Sequence, residues 1–134
     1  MADVAADLVD ELTHSAAVVA AVADRVYAGR VPAGTVRPLI WLQRRSVEYG
    51  GCMGDEDEPL KERFDIEVVA DDPGEAVVVA DMVRACLHDR YGLIGDHYYS
   101  SVTIADAAEN YVPRNLSADE FLFISSLDCE VIRP

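Results

Sequence analysis

The stretch from Phe64 to Glu75 leaves the chain the least freedom. Phe64, Ile66, Val68 and Ala70 alternate with Asp65 and Glu67, the period-two pattern of a strand with one face on a core. The strand must then stop. Asp72-Pro73-Gly74-Glu75 is a helix start, with Asp72 as N-cap, Pro73 at the first helical position and Glu75 completing a capping box. The spacing predicts a helix over 73–90. Ala76, Ala80, Val83 and Leu87 form its packed stripe, with Val79, Met82 and Cys86 beside it and Gly92 as the stop.

The remaining elements follow from the same periodicities. Ala5, Leu8, Val9 and Leu12 place a helix over 3–20 with acids on its opposite face, and a short turn is expected near Val22-Ala23. Residues 38–49 and 120–132 read as strands. Leu39–Leu42 and Phe121–Ile124 are apolar on both faces, so cover is expected on both sides. Residues 97–106 form a further strand with Tyr98, Val102 and Ile104 as core candidates, and Asn110–Asn115, with Pro113, reads as a loop. Gly50 to Pro59 holds three glycines and the acids Asp55, Glu56, Asp57 and Glu58, the tip of a long β-hairpin. The fold class is α+β: an antiparallel β-sheet with two helices packed on one face, main-element order α-β-β-α-β-β, in one domain over 1–134.

The segment Asp24-Arg25-Val26-Tyr27-Ala28-Gly29-Arg30-Val31-Pro32-Ala33-Gly34 is organised differently. A short strand at Asp24–Tyr27 gives way to an extended Val31-Pro32-Ala33-Gly34 arm, where proline fixes φ and glycine permits a reversal. Pro38 then opens the apolar run Leu39-Ile40-Trp41, at the end of a strand where a proline is tolerated.

Composition excludes several function classes. At 134 residues, 51% of them hydrophobic, the chain has material for one real core and is not a disordered tail. Eleven basic residues against twenty-five acidic ones give a net charge of −14. A general electrostatic footprint on DNA or anionic lipid is therefore not expected. No apolar run reaches the ~18 residues of a membrane span. The N-terminus carries Asp3, Asp7, Asp10 and Glu11 and no basic region, so no targeting peptide is expected. Cys52, Cys86 and Cys129 lack zinc-type spacing, and Cys86 and Cys129 read as small core hydrophobes in a reducing compartment.

No catalytic constellation stands out. His14, His88 and His97 are scattered, and phosphate-loop, dinucleotide and nucleophile-elbow signatures are absent. Glu48, Asp65 and Glu67 offer a carboxylate pair, although acids on a strand face are ordinarily solvated. His97-Tyr98-Tyr99 reads as a rim aromatic cluster. The expectation is a non-enzyme without metal or cofactor.

The arm and its flanks, Asp24–Gly34 followed by Arg37–Gln43, resemble the tail-completion or tail-terminator proteins of long-tailed phages and prophage-like particles. So do the strand Phe64–Ala70, the Ala-rich helix after it and the closing run Phe121–Asp128. The resemblance implies a structural virion protein. Six subunits would form a ring that caps the tail tube, stops tube polymerisation and offers a docking surface to a head-completion or connector protein. DNA would pass through the lumen without specific binding. The protein would sit at the head-proximal end of the tail and assemble in the host cytoplasm, with no membrane partner. Candidate subunit-interface residues are Arg30, Val31, Pro32, Leu39, Trp41, Leu122 and Ile124. Asp55–Glu58 would face the lumen or a partner, where like charge keeps DNA from sticking. Two readings compete with this one. One is a head-completion or adaptor protein of the same particle. The other is a ferredoxin-like small-molecule-binding α/β domain or dimeric enzyme, with a pocket lined by His97, Tyr99 and Trp41.

Overall fold

The computed structural model describes residues 4–49, 59–113 and 121–133. Helices α1 (Val4–Thr13) and α2 (Ala16–Val22) come first. Strands β1 (Val26–Ala28), β2 (Leu39–Tyr49) and β3 (Pro59–Ala70) follow, then helix α3 (Pro73–Leu87). Strands β4 (Arg90–Ile94), β5 (His97–Pro113) and β6 (Phe121–Ile132) close the chain. All six strands join one sheet in the order β1-β2-β3-β6-β5-β4. The α+β class holds, but three helices and a mixed sheet replace two helices and a purely antiparallel one.

β3 lies inside the sheet, and its alternation does what the sequence asked. Phe64, Ile66, Val68 and Ala70 are all within 1% of full burial. They share one core with Val4, Leu8 and Leu12 of α1, Val18 and Val22 of α2, and Val79, Val83 and Leu87 of α3, so the helices cover a single face. The β2–β3 hairpin pairs from Leu39↔Val69 to Tyr49↔Pro59. Its acidic tip, Asp55–Glu58, lies outside the described residues, as does Cys52.

The expected 3–20 helix is broken. The Thr13 hydroxyl donates back to the Val9 carbonyl at 2.9 Å, and Ser15 turns extended (φ −80°, ψ 121°) to start α2. Thr13-His14-Ser15 are poor helix formers whose side chains compete for backbone groups. α3 starts as expected, with the Glu75 amide donating to Asp72 at 3.0 Å. It stops earlier than expected, at Leu87, because Asp89 adopts a left-handed conformation (φ 59°) and the Ile104 amide donates to His88 Nδ1 at 3.0 Å. Gly92 therefore lies within β4, beside a register shift in the β4–β5 pairing.

That shift also corrects the core assignment of Tyr98. Tyr99 and Val102, three residues apart, both face the core, whereas Tyr98 is 68% exposed. A bulge breaks period two and moves a side chain to the other face. The expected loop at Asn110–Asn115 is strand as far as Pro113, because β6 supplies a partner through Asn110↔Ile124 and Pro113↔Phe121. Pro113 occupies the strand end, where a missing amide is tolerated.

Candidate assembly surface

The sheet face away from the helices carries the candidate site. β1 runs parallel to β2, with Val26↔Ile40, Tyr27↔Trp41 and Ala28↔Leu42 in register. The chain must therefore travel back the length of the strand before β2 begins, which usually takes a crossover helix. Here residues 29–38 make the return as an extended arm. Gly29 (φ 84°) and Gly34 (φ 76°) supply the left-handed turns, and neither has an atom within 4 Å of an added Cβ, so backbone conformation alone demands glycine.

The arm is fastened along its length. The Gly29 amide donates to the Leu42 carbonyl at 2.9 Å, and the Trp41 indole N–H donates to the Gly29 carbonyl at 2.6 Å. The Thr35 hydroxyl donates to the Pro32 carbonyl at 2.5 Å. At the far end Arg25 Nε donates to the Pro38 carbonyl at 3.0 Å, and Arg37 pairs with Asp71 at 2.8 Å. Between arm and sheet lies an open groove of about 490 Å³, lined by Arg30, Val31 and Pro32 from the arm and by Leu39, Trp41 and Leu122 from the sheet, among others. Six of the seven interface candidates thus meet in one groove, although they come from three separate stretches of sequence. The seventh, Ile124, pairs with Val69, itself a groove residue.

Along the same face the chemistry changes. Glu67 lies between Trp41 and Ser126 in register, and its carboxyl is raised above the usual range, first by burial and then by Asp65. Beyond it Arg45 pairs with Asp65 at 3.3 Å, and Glu130 takes Lys61 at 3.4 Å and Arg63 at 3.2 Å. Asp65 therefore has a cation of its own, and the suggested carboxylate pair is part of a salt-bridged surface.

The competing pocket does not form. Trp41 lies on the groove face, while His97 and Tyr99 turn to the helix face and close on Asp7. Asp7 was expected on the solvent side of α1, yet it is 4% exposed. One of its oxygens accepts from the Tyr99 hydroxyl and lies 2.8 Å from His97 Nδ1. The other accepts from the Asp96 amide at 3.2 Å. A Cβ on Gly95 would stand 2.5 Å from this carboxylate and 3.0 Å from the Asp7 Cα, so only glycine lets the turn approach. Burial, then the Asp7 hydrogen bond, pushes the Tyr99 phenol well above its usual range. The cluster pins α1 to the β4–β5 turn. Its signal was present in sequence: Asp7 sits three residues after Val4 and one before Leu8, within the buried stripe of α1.

A second apolar patch takes Tyr98 from the expected rim aromatic cluster, while its other members, Tyr91 and Leu93, were missed by sequence reasoning. Tyr91 (77% exposed), Leu93 (56%) and Tyr98 (68%) stand together on the groove face at the opposite sheet edge. Among the described residues no group of three or more His, Cys, Asp and Glu is arranged to hold a metal ion, and no helix is long and apolar enough to cross a membrane. Cys129 is buried and its thiol is pushed up to about 12 by burial and by Asp128 and Glu130, the mark of an inert core cysteine.

Comparison with known proteins supplies the remaining observations. The sequence model of the family described as Tail completion protein gp17 matches residues 6–117. No curated protein matches. Among solved structures, a chain from the "Virion of native gene transfer agent (GTA) particle" has a similar fold, with a TM-score of 0.65 and 16% identity over 97% of this chain and 94% of that one.

Proposed function

This chain belongs to the Tail completion protein gp17 family, and from that premise we propose that it is a non-enzymatic ring subunit that caps the tail tube. In this reading six copies close on the tube end, stop its polymerisation and present a docking surface to a head-completion protein, at the head-proximal end of the virion tail. The observation that carries the reading is the arm groove. A ten-residue arm stapled across a sheet face, with an apolar floor left open to solvent, is an unfinished surface in a single copy. A ring requires a heterologous apolar contact whose rotation closes. The fold shared with a virion chain supports the same placement. The net charge of −14 suits a lumen that DNA crosses without adhering.

Sedimentation and light scattering, with and without polymerising tail-tube protein, test the proposal. The expected result is a closed hexamer, alone or on tube ends, and tubes of arrested length. A strict monomer in both conditions, with tubes growing on unchecked, overturns it. If Asp55–Glu58 face the lumen, their replacement by lysine creates DNA affinity that falls steeply with salt. Unchanged binding and unchanged infectivity would remove them from the lumen.

A further inference from the structure

Resting on the ring reading, we infer that the arm groove of one copy receives the Tyr91–Leu93–Tyr98 patch of the next. A chain of net charge −14 repels its own copies, so subunits must meet where that charge is locally offset. The arm and the start of β2 provide such a place. Residues 25–45 hold Arg25, Arg30, Arg37, Arg44 and Arg45, five of the eleven basic residues, and no acid. Arg37, Arg44 and Arg45 are already paired with Asp71, Glu62 and Asp65, so the offset toward a neighbouring copy rests on Arg30. Arg30 lines the groove and has no ion-pair partner among the described residues.

The patch has the opposite character. Tyr91, Leu93 and Tyr98 are more than half exposed, and the exposed Asp89 and Asp96 flank β4, one before it and one in the turn that leads to β5. Apolar surface would meet apolar surface, and carboxylates would meet the free guanidinium. The patch is also preorganised, since Asp7 holds the turn between its two strands through the Asp96 amide and the Tyr99 hydroxyl. A surface already ordered loses less freedom on binding.

Placement favours a chain of copies over a two-fold pair. Groove and patch lie on the same sheet face, four strand steps apart from β2 to β4, about 19 Å at the usual strand spacing. Sheet twist of ~20–25° per step turns them roughly a quarter-turn from one another. Each copy thus offers a socket in one direction and a plug in another, which is the requirement for a heterologous ring.

The test uses the full chain with tail-tube protein. Val31→Asp spoils the groove and Leu93→Asp spoils the patch, both at positions where a charge can reach water. Each variant alone should keep its circular dichroism and remain monomeric, and an equal mixture should stop at a dimer, because one good socket and one good plug remain. Arg30→Glu should weaken assembly about tenfold, and adding Asp96→Arg should restore it. A ring that survives Leu93→Asp, or a charge swap that brings no recovery, overturns the pairing while the ring reading stands. Rings of Leu93→Asp that no longer arrest tubes assign the patch to the tube and also overturn it. A wild-type chain that makes no ring overturns both.

Discussion

The two faces of the sheet solve opposite problems. On the helix face every large side chain has a partner within the chain: Phe64, Ile66 and Val68 are sealed under three helices, and the buried Asp7 carboxylate has two side-chain partners and a backbone amide. On the other face the apolar floor of the groove remains open, and Tyr91, Leu93 and Tyr98 project into solvent. A face whose large apolar side chains are sealed within the chain stabilises the fold, whereas one left open is available for assembly. The difference teaches that stability and assembly should separate by face when residues are changed.

The most severe challenge to that separation is Phe64→Ala. Removing a wholly buried aromatic should cost about 3–5 kcal/mol, read as a large drop in the urea midpoint, and an effect below ~1 kcal/mol would mean that the helix face is not the true core. Tyr99→Phe should cost about 1–3 kcal/mol by leaving Asp7 short of a donor. It also carries a pH signature. The folded-state phenol value is raised, so its contribution is complete below the unfolded value of about 10 and fades as pH rises past it. Wild-type stability should decline more steeply above about pH 10 than that of Tyr99→Phe, and parallel pH profiles would refute the assignment.

Trp41→Ala sharpens the contrast from the other side. It removes one hydrogen bond to the arm, worth about 1 kcal/mol, and should leave thermal unfolding nearly intact while abolishing ring formation in sedimentation. A Trp41 variant that still assembles would transfer the function elsewhere. Glu67→Gln should have the smallest effect. Burial raises this carboxyl, so its ionised form opposes folding above its folded value and that opposition is relieved as pH falls through it. The variant should gain stability at neutral pH, by no more than about 0.5 kcal/mol, with the gain vanishing in acid. A loss at neutral pH would show that the carboxylate has a cation partner.

Much of the helix face was legible because it is written in local periods. The 64–70 alternation and the Asp72–Glu75 cap each depend on neighbours a few residues away, and both hold. The early end of α3 and the inward turn of Tyr99 were not legible, since each is decided by a distant partner or by a bulge. The break at Thr13–Ser15 has a local cause in three poor helix formers, which the apolar period on either side outweighed in the sequence. The groove was half legible. Its residues could be nominated from apolar runs and the Pro/Gly arm, but Arg30 and Leu122 share a cleft only because β1 pairs parallel with β2 and forces the arm back across the sheet.

The sequence by itself determined the α+β class, the alternating strand at 64–70, the start of α3, the hairpin and the acidic balance, because these follow from spacing, capping and composition. Tertiary structure alone decided which strands are neighbours beyond that hairpin, which face Tyr98 and Tyr99 occupy, and that Asp7 is a buried pin instead of a solvent acid. The physical reason is range. A side-chain period is set within a few residues, whereas register, bulges and the pairing of Asp7 with Tyr99 join parts of the chain 92 residues apart and exist only once the sheet has closed.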